Sequence, residues 1–338
     1  MALLSPRPAA PSRRAGDLPD ASPARALREL GLLTWLPVGA LAAVLALSVL
    51  APGAARSAAL PLAVVGAVLG IPHGAVDHLV PWWWSARPGA QGRRRQIVLF
   101  AAGYAVAAAA ALAVSLLAPA VTFAAFLLLS ALHFGRGEVA AWAERGGRPV
   151  PSLGGSITTS LAPGLVVVGL MLWSPRADVG LLAPIAPGLA GAADRLQVVG
   201  LTATALVTVA AALSLLRDRR LLDAGELALL LATFWLAPPL AAFGVYFGCW
   251  HAVRHTGRLL DLARQQDVDA GWSRALRRLL VAGSWPTAVA LLGVLGLWAL
   301  HGRTSLQAEV GVLLALTFPH AAVVWTLDRR AARTGQLR

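Results

Sequence analysis

The 338-residue chain contains no lysine, a single cysteine (Cys249) and few charged side chains, which make up 13% of its residues. One cysteine leaves nothing for a disulfide framework or a cysteine metal cluster. A soluble domain carries roughly 25% charged residues and about 45–50% apolar ones. Here the apolar share is 57% and the mean hydropathy is +0.68. A soluble globular enzyme is thereby excluded, and so is disorder over most of the length. What remains is a polytopic membrane protein, in which the scarce polar residues carry the information.

Apolar stretches alternate with short arginine-bearing loops, and crossing a hydrocarbon core of roughly 30 Å takes about 20 apolar residues. Ten stretches qualify: 32–52, 58–75, 97–118, 120–135, 155–174, 195–216, 221–237, 239–256, 279–300 and 309–327. The pattern predicts an all-α, polytopic membrane helix bundle of about ten transmembrane helices. LLAPIAPGLAGA (181–192) is too short and too rich in proline and glycine to span, and reads as an interfacial or re-entrant piece. Residues 1–30, rich in Pro, Ala and Arg, lack the apolar run of a secretory signal and read as a flexible cytoplasmic tail. Residues 31–328 are then a single transmembrane catalytic domain, and 329–338 a basic cytoplasmic tail.

All 29 basic residues are arginines, and loop arginines favour the cytoplasmic side. With ten spans and the amino terminus inside, only Arg56, Arg176, Arg195 and Arg303 fall outside, and Arg254 lies within a span; the other 24 are cytoplasmic. This asymmetry predicts both termini in the cytoplasm and a multi-pass protein of the cell (inner) membrane, embedded in the lipid bilayer. The net charge of +13 is therefore a topology signal and calls for no nucleic-acid partner.

Of the seven histidines, His301 falls on an outside loop. The other six, His73, His78, His133, His251, His255 and His320, lie in the cytoplasmic halves of four helices. Membrane segments normally avoid such residues, and six at similar depth point to a metal site. In YFGCWHAVRH, His251 and His255 are four residues apart, so they share a helix face and can reach one metal. In GIPHGAVDH, His73 and His78 are about 140° apart on a regular α-helix, whereas His73 and Asp77 are only about 40° apart. Asp77 is thus expected behind or beside His73 as an orienting carboxylate, with His78 turned away. His133, in LHFGRGE, supplies a third helix, with Glu138 close to the interface.

Two Pro-His pairs, Pro72-His73 and Pro319-His320, free a backbone carbonyl and widen the bundle beside a ligand. Phe243 and Phe247 continue the row of His251 and His255, forming an aromatic wall that, with Tyr246, could line a channel for an extended substrate. Most of the twelve tryptophans, Trp82, Trp83 and Trp84 among them, read as interface anchors.

Neutral imidazoles suit iron, zinc or copper rather than magnesium or calcium. No HExxH zinc-protease motif occurs. A di-iron site needs about eight ligands from two centres, more than this end of the bundle offers. One mononuclear centre fits, and a site among lipid-facing helices is open to lipid-soluble substrates and to dioxygen. The residues thus point to non-heme iron oxygen chemistry on a hydrophobic molecule.

GIPHGAVDH, ALHFG, GELALLLATFWLAPPL, YFGCWHAVRH and TFPHAAVVWTLD, in that order over roughly residues 60–328, resemble the bacteriorhodopsin-related-protein-like (Brp/Blh) family of β-carotene 15,15'-dioxygenases. The resemblance implies a multi-pass membrane enzyme that uses iron(II) and dioxygen to split β-carotene into two retinals. Its iron ligands map onto His73, His133, His251 and His255, leaving an open position for dioxygen. It also implies supporting roles for Asp77, Glu226 and His320, with Glu138 counted beside them. A microbial rhodopsin is the expected acceptor of the retinal. Two other classes share these features: a non-catalytic retinal-protein assembly factor, and a proton-coupled transporter using Asp77, Glu138, Asp223, Glu226 and the histidines.

Overall fold

The structure, a computed structural model, describes residues 23–83, 90–176, 187–265, 272–301 and 306–334. Ten helical passes run through these stretches, and no strand occurs among the described residues. They are α1 Pro23–Leu50, α2 Pro52–Gly70, α3 Ala90–Leu117, α4 Pro119–Arg145, α5 Ile157–Gly164, α6 Ala193–Arg217, α7 Leu221–Leu236, α8 Pro239–Val245, α9 Trp272–His301 and α10 Leu306–Thr334. Three continue past their regular α-helical part. After α2 comes a tight 3₁₀ helix, Ile71–Leu79; α5 runs through a π turn, Leu165–Gly169, to Trp173; α8 runs through a π turn, Tyr246–His251, into an arm, Ala252–Gln265.

The all-α membrane bundle follows from composition. Seven helical stretches among the described residues are long and apolar enough to cross a membrane: Gly31–Leu50, Pro52–Leu79, Arg94–Leu117, Pro119–Arg145, Gly154–Trp173, Ala193–Arg217 and Gly311–Arg329. Helix α7 has 16 residues, about 24 Å of rise, and compensates by burying Glu226, Leu227, Leu230, Thr233 and Phe234 against its neighbours. Prolines at the first turns of α2, α4 and α8 start those helices where a missing N–H costs nothing. The α4 helix ends at Gly146-Gly147, Gly147 having a positive φ of 61° that a side chain would resist.

Several boundaries differ from those read off hydropathy. Helix α1 begins at Pro23, so residues 23–30 belong to a helix, while residues 1–22 lie outside those described. The α4 helix runs ten residues beyond the expected 135, carrying Arg136, Glu138, Glu144 and Arg145 into protein contacts that an apolar-run criterion cannot see. Of the stretch 181–192, residues 181–186 lie outside the described residues, and Pro187–Ala192 forms a short 3₁₀ helix leading into α6. Helix α10 continues to Thr334, into the expected tail. His301 closes α9; its side chain, those of Trp82 and Trp83, and Trp84 as a whole lie outside the described residues.

Glycines set the crossings that bring the histidine-bearing helices together. Gly66 on α2 meets Gly244 and Gly248 of the α8 segment in backbone contact, a Cβ on Gly248 lying 2.7 Å from the Gly66 carbonyl oxygen, while Gly70 makes room for the Phe247 ring. Helices α4 and α5 meet as closely, since a Cβ on Gly135 would collide with the Ser160 carbonyl and one on Gly164 with that of Ala131. Around these crossings Leu41, Phe134, Val166, Leu170, Leu230, Phe234, Tyr246 and Trp250 form the main buried core.

Candidate metal centre

The local backbone around His73 is set by Pro72. Its missing N–H and its ring prevent α-helical bonding at this point, and the chain tightens to 3₁₀ geometry over Ile71–Leu79. At three residues per turn, a residue sits directly over the one three before it. The Nδ1–H of His73 accordingly donates to the Gly70 carbonyl, and that of His78 to the Ala75 carbonyl at 3.2 Å. On the α8 segment the π turn ends at His251, the first of the histidine pair, a placement such turns often take at functional sites.

These elements assemble five imidazoles from four helices. The His73 ring lies 5.2 Å from His251, 5.3 Å from His255 and 5.0 Å from His320, centroid to centroid. His133 lies 5.1 Å from His251 and 5.0 Å from His320, and His255 lies 5.7 Å from His320. All five are buried. The Nε2 atoms of His251, His255 and His320 are buried without a hydrogen-bond partner among the described residues. Buried polar atoms are rarely left so. Among the described residues no three His, Cys, Asp or Glu donors stand at finished metal-binding spacing; the arrangement is a contiguous cluster of rings with unused nitrogens.

Asp77 takes a different partner from the one expected. Its Oδ2 accepts from Nδ1–H of His320 at 2.8 Å, while the His73 Nδ1 is already committed to Gly70. The reason is the 3₁₀ backbone: residues four apart are about 120° apart there rather than about 40°. Gly74 leaves room for the His320 ring, since a Cβ there would lie 3.3 Å from its Nδ1.

The aromatic row of α8 is present as an unbroken ladder. Phe243 stacks on Phe247, Phe247 on His251 and His251 on His255, with interplanar angles of 5°, 11° and 8°. Phe247 also meets His73 edge-on at 5.6 Å, and Phe134 meets His251 at 4.9 Å. Tyr246 is fully buried on another side, its hydroxyl donating to Glu138 Oε1 at 3.0 Å.

A family description, beta-carotene 15,15'-dioxygenase, matches residues 64–328, which include every one of these side chains. The chain belongs to that family. It is also 31% identical over 322 residues, 80% of this chain and 84% of the relative, to a protein of Halobacterium salinarum (strain ATCC 700922 / JCM 11081 / NRC-1) named probable beta-carotene 15,15'-dioxygenase Blh. No solved structure matches the chain.

In this member of the family a buried ionic network lies directly beneath the imidazoles. Glu138 accepts from Tyr246, from Trp250 Nε1 at 2.9 Å and from Arg254 Nη1 at 2.6 Å. Glu226 accepts from Trp142 Nε1 at 2.7 Å and from Arg145, and lies 2.9 Å from Arg254 Nη2 in an ion pair without hydrogen-bond alignment. Asp223 gathers Arg145, Arg148 and Arg220, and Arg258 bridges Glu144 and Asp328. Glu138 and Glu226, expected as supporting residues, thus both meet Arg254. Trp142 and Trp250 are fully buried donors rather than interface anchors. Sequence reasoning passed over Arg254 and Arg258 as functional residues. Their signal was an arginine inside an apolar span and a second one four residues on, interleaved with the histidine pair.

Proposed function

We propose that this chain is a membrane-embedded iron(II) dioxygenase that cleaves the central double bond of β-carotene, each freed carbon taking one oxygen atom of O₂ to give two molecules of retinal. The observation that carries the reading is the five-imidazole cluster with its unused Nε2 atoms, standing at the end of the Phe243–Phe247 ladder in a chain of this family.

The donor set fits the metal. A metal about 2.1 Å from each nitrogen holds neighbouring ring centroids roughly 4.5–6.5 Å apart, and the separations here run from 5.0 to 6.3 Å. A cation drawing the nitrogens inward satisfies atoms that are otherwise orphaned in the core. His73, His133, His251 and His255 would hold it, and all-neutral donors favour iron over the hard cations. When bound, iron(II) supplies the electron chemistry that lets dioxygen react with a closed-shell polyene. The protein contributes position and dryness. Phe243 and Phe247 present stacked, polarisable faces to an extended polyene running toward the histidines, while Tyr246 anchors Glu138 instead of lining that path. Gly70 fixes the tautomer of His73 so that Nε2 keeps its lone pair for the metal. The ionic layer of Glu138, Glu226 and Arg254 lies on the other side of the cluster, its charges paired with one another. Retinal leaving such a site enters the bilayer, where a microbial rhodopsin is a suitable acceptor.

The test is expression in cells that accumulate β-carotene, with carotenoid and retinal quantified. Loss of β-carotene with gain of retinal is expected, and both should be abolished when His251 and His255 are replaced together by alanine. Unchanged pigment with folded, iron-loaded protein would instead favour an assembly factor, and folded protein with no iron a transporter.

A further inference from the structure

We propose that His320 is a fifth imidazole ligand of the metal, with Asp77 as the carboxylate that orients it. This rests on the iron reading above and extends its donor set from four residues to five.

Three observations about His320 converge. Its Nδ1–H donates to Asp77 Oδ2 at 2.8 Å, so that in the neutral ring the other nitrogen, Nε2, carries the lone pair. That Nε2 is buried with no hydrogen-bond partner among the described residues, and a lone pair so placed is satisfied only by a donor proton or a cation. The ring stands 5.0 Å from both His73 and His133 and 5.7 Å from His255, which puts it within the cluster rather than behind it. A carboxylate behind one ring nitrogen and a cation before the other is the usual environment of a metal-bound histidine.

The backbone on both sides is shaped for this placement. Pro319, immediately before His320, removes one backbone donor from α10 without ending the helix. Gly74 opposite it has no side chain, and a Cβ there would press to 3.3 Å on the ring. The 3₁₀ turn rotates Asp77 away from His73 and toward α10. His73 achieves the same tautomer with a backbone carbonyl. His320 uses a carboxylate, a stronger acceptor that raises the basicity of the coordinating nitrogen.

The test measures iron on purified full-length protein in detergent, by competition against a chelator and by X-ray absorption at the iron edge. His320→Ala should weaken iron binding on the order of 100-fold and remove one imidazole from the scattering shell, and Asp77→Asn should weaken it by about 10- to 100-fold while keeping the imidazole number. Added free imidazole should restore iron retention to His320→Ala, which a folding defect would not allow. Parental iron affinity and an unchanged imidazole number in His320→Ala overturn the proposal. If the unsubstituted protein itself binds no iron, the metal reading fails with it, so the two failures are distinguishable.

Discussion

Gly66 and Gly244 touch backbone to backbone: a Cβ built on Gly66 would lie 2.0 Å from the Gly244 carbonyl oxygen. No side-chain movement relieves such a clash, because the obstacle is main chain. This contact joins the helix leading to His73 to the helix leading to His251 and His255, so separating the two helices separates the proposed ligands. Gly66→Ala should destabilise the protein by about 1–3 kcal/mol, the usual cost of overpacking. It should also weaken iron retention. Gly103→Ala, where a Cβ meets nothing within 4 Å, is the internal control and should be neutral or slightly stabilising. Thermal unfolding in detergent checks both, and equal melting temperatures for Gly66→Ala and the parent would disprove the role assigned to the crossing.

Arg254 joins two buried carboxylates beside the histidine cluster. It neutralises Glu138 at 2.6 Å and Glu226 at 2.9 Å, and its guanidinium lies 4.0 Å from the Trp250 ring centroid. Breaking a buried pair by removing one partner costs about 3–5 kcal/mol, because a charge is left without compensation. Arg254→Ala should therefore lower stability by about that amount, and Glu138→Gln added to it should recover part of the loss. A single substitution that melts with the parent, or a double one that melts below the single, contradicts this account.

What the sequence made legible was whatever depends on local periodicity. The row Phe243, Phe247, His251, His255 repeats every four residues, and the rings stack in that order. The bundle and most of its helices follow from apolar runs. Asp77 shows where this fails. Its partner His320 is 243 residues away, and the angle from His73 depended on a helix type that Pro72 alters. Long-range pairing and a local switch from α to 3₁₀ geometry leave no periodic trace. The charged residues of α4, α7 and the α8 segment were also opaque, since Arg145, Arg254, Glu138 and Glu226 are tolerable at that depth only because they neutralise one another.

The ionic layer also bears on topology. Arg145 at the end of α4, Arg220 at the start of α7 and Arg254 on α8 are joined through Asp223, Glu226 and Glu138, and Arg258 reaches Asp328 near the end of α10. These helix ends therefore lie on one side of the bundle, and the arginine bias predicts that this side faces the cytoplasm. A reporter that fluoresces only in the cytoplasm should be bright when fused after α10 and dark when inserted at Arg303. The reverse pattern would invert the orientation, and brightness at both sites would remove a span between them.

The last prediction separates two histidines five residues apart. His73 lies within 5.0–5.3 Å of His320, His251 and His255, whereas His78 turns its Nδ1 to the Ala75 carbonyl and is only partly buried. On the 3₁₀ helix the two point about 120° apart, so one helix cannot easily direct both at the same ion. His73→Ala should lose iron and abolish retinal formation. His78→Ala should retain its iron and most of its activity. Iron content and retinal yield measured on the same preparations decide the matter. If His78→Ala strips the iron while His73→Ala keeps it, the ligand on this helix has been misassigned and the turn after Pro72 must rotate the other way.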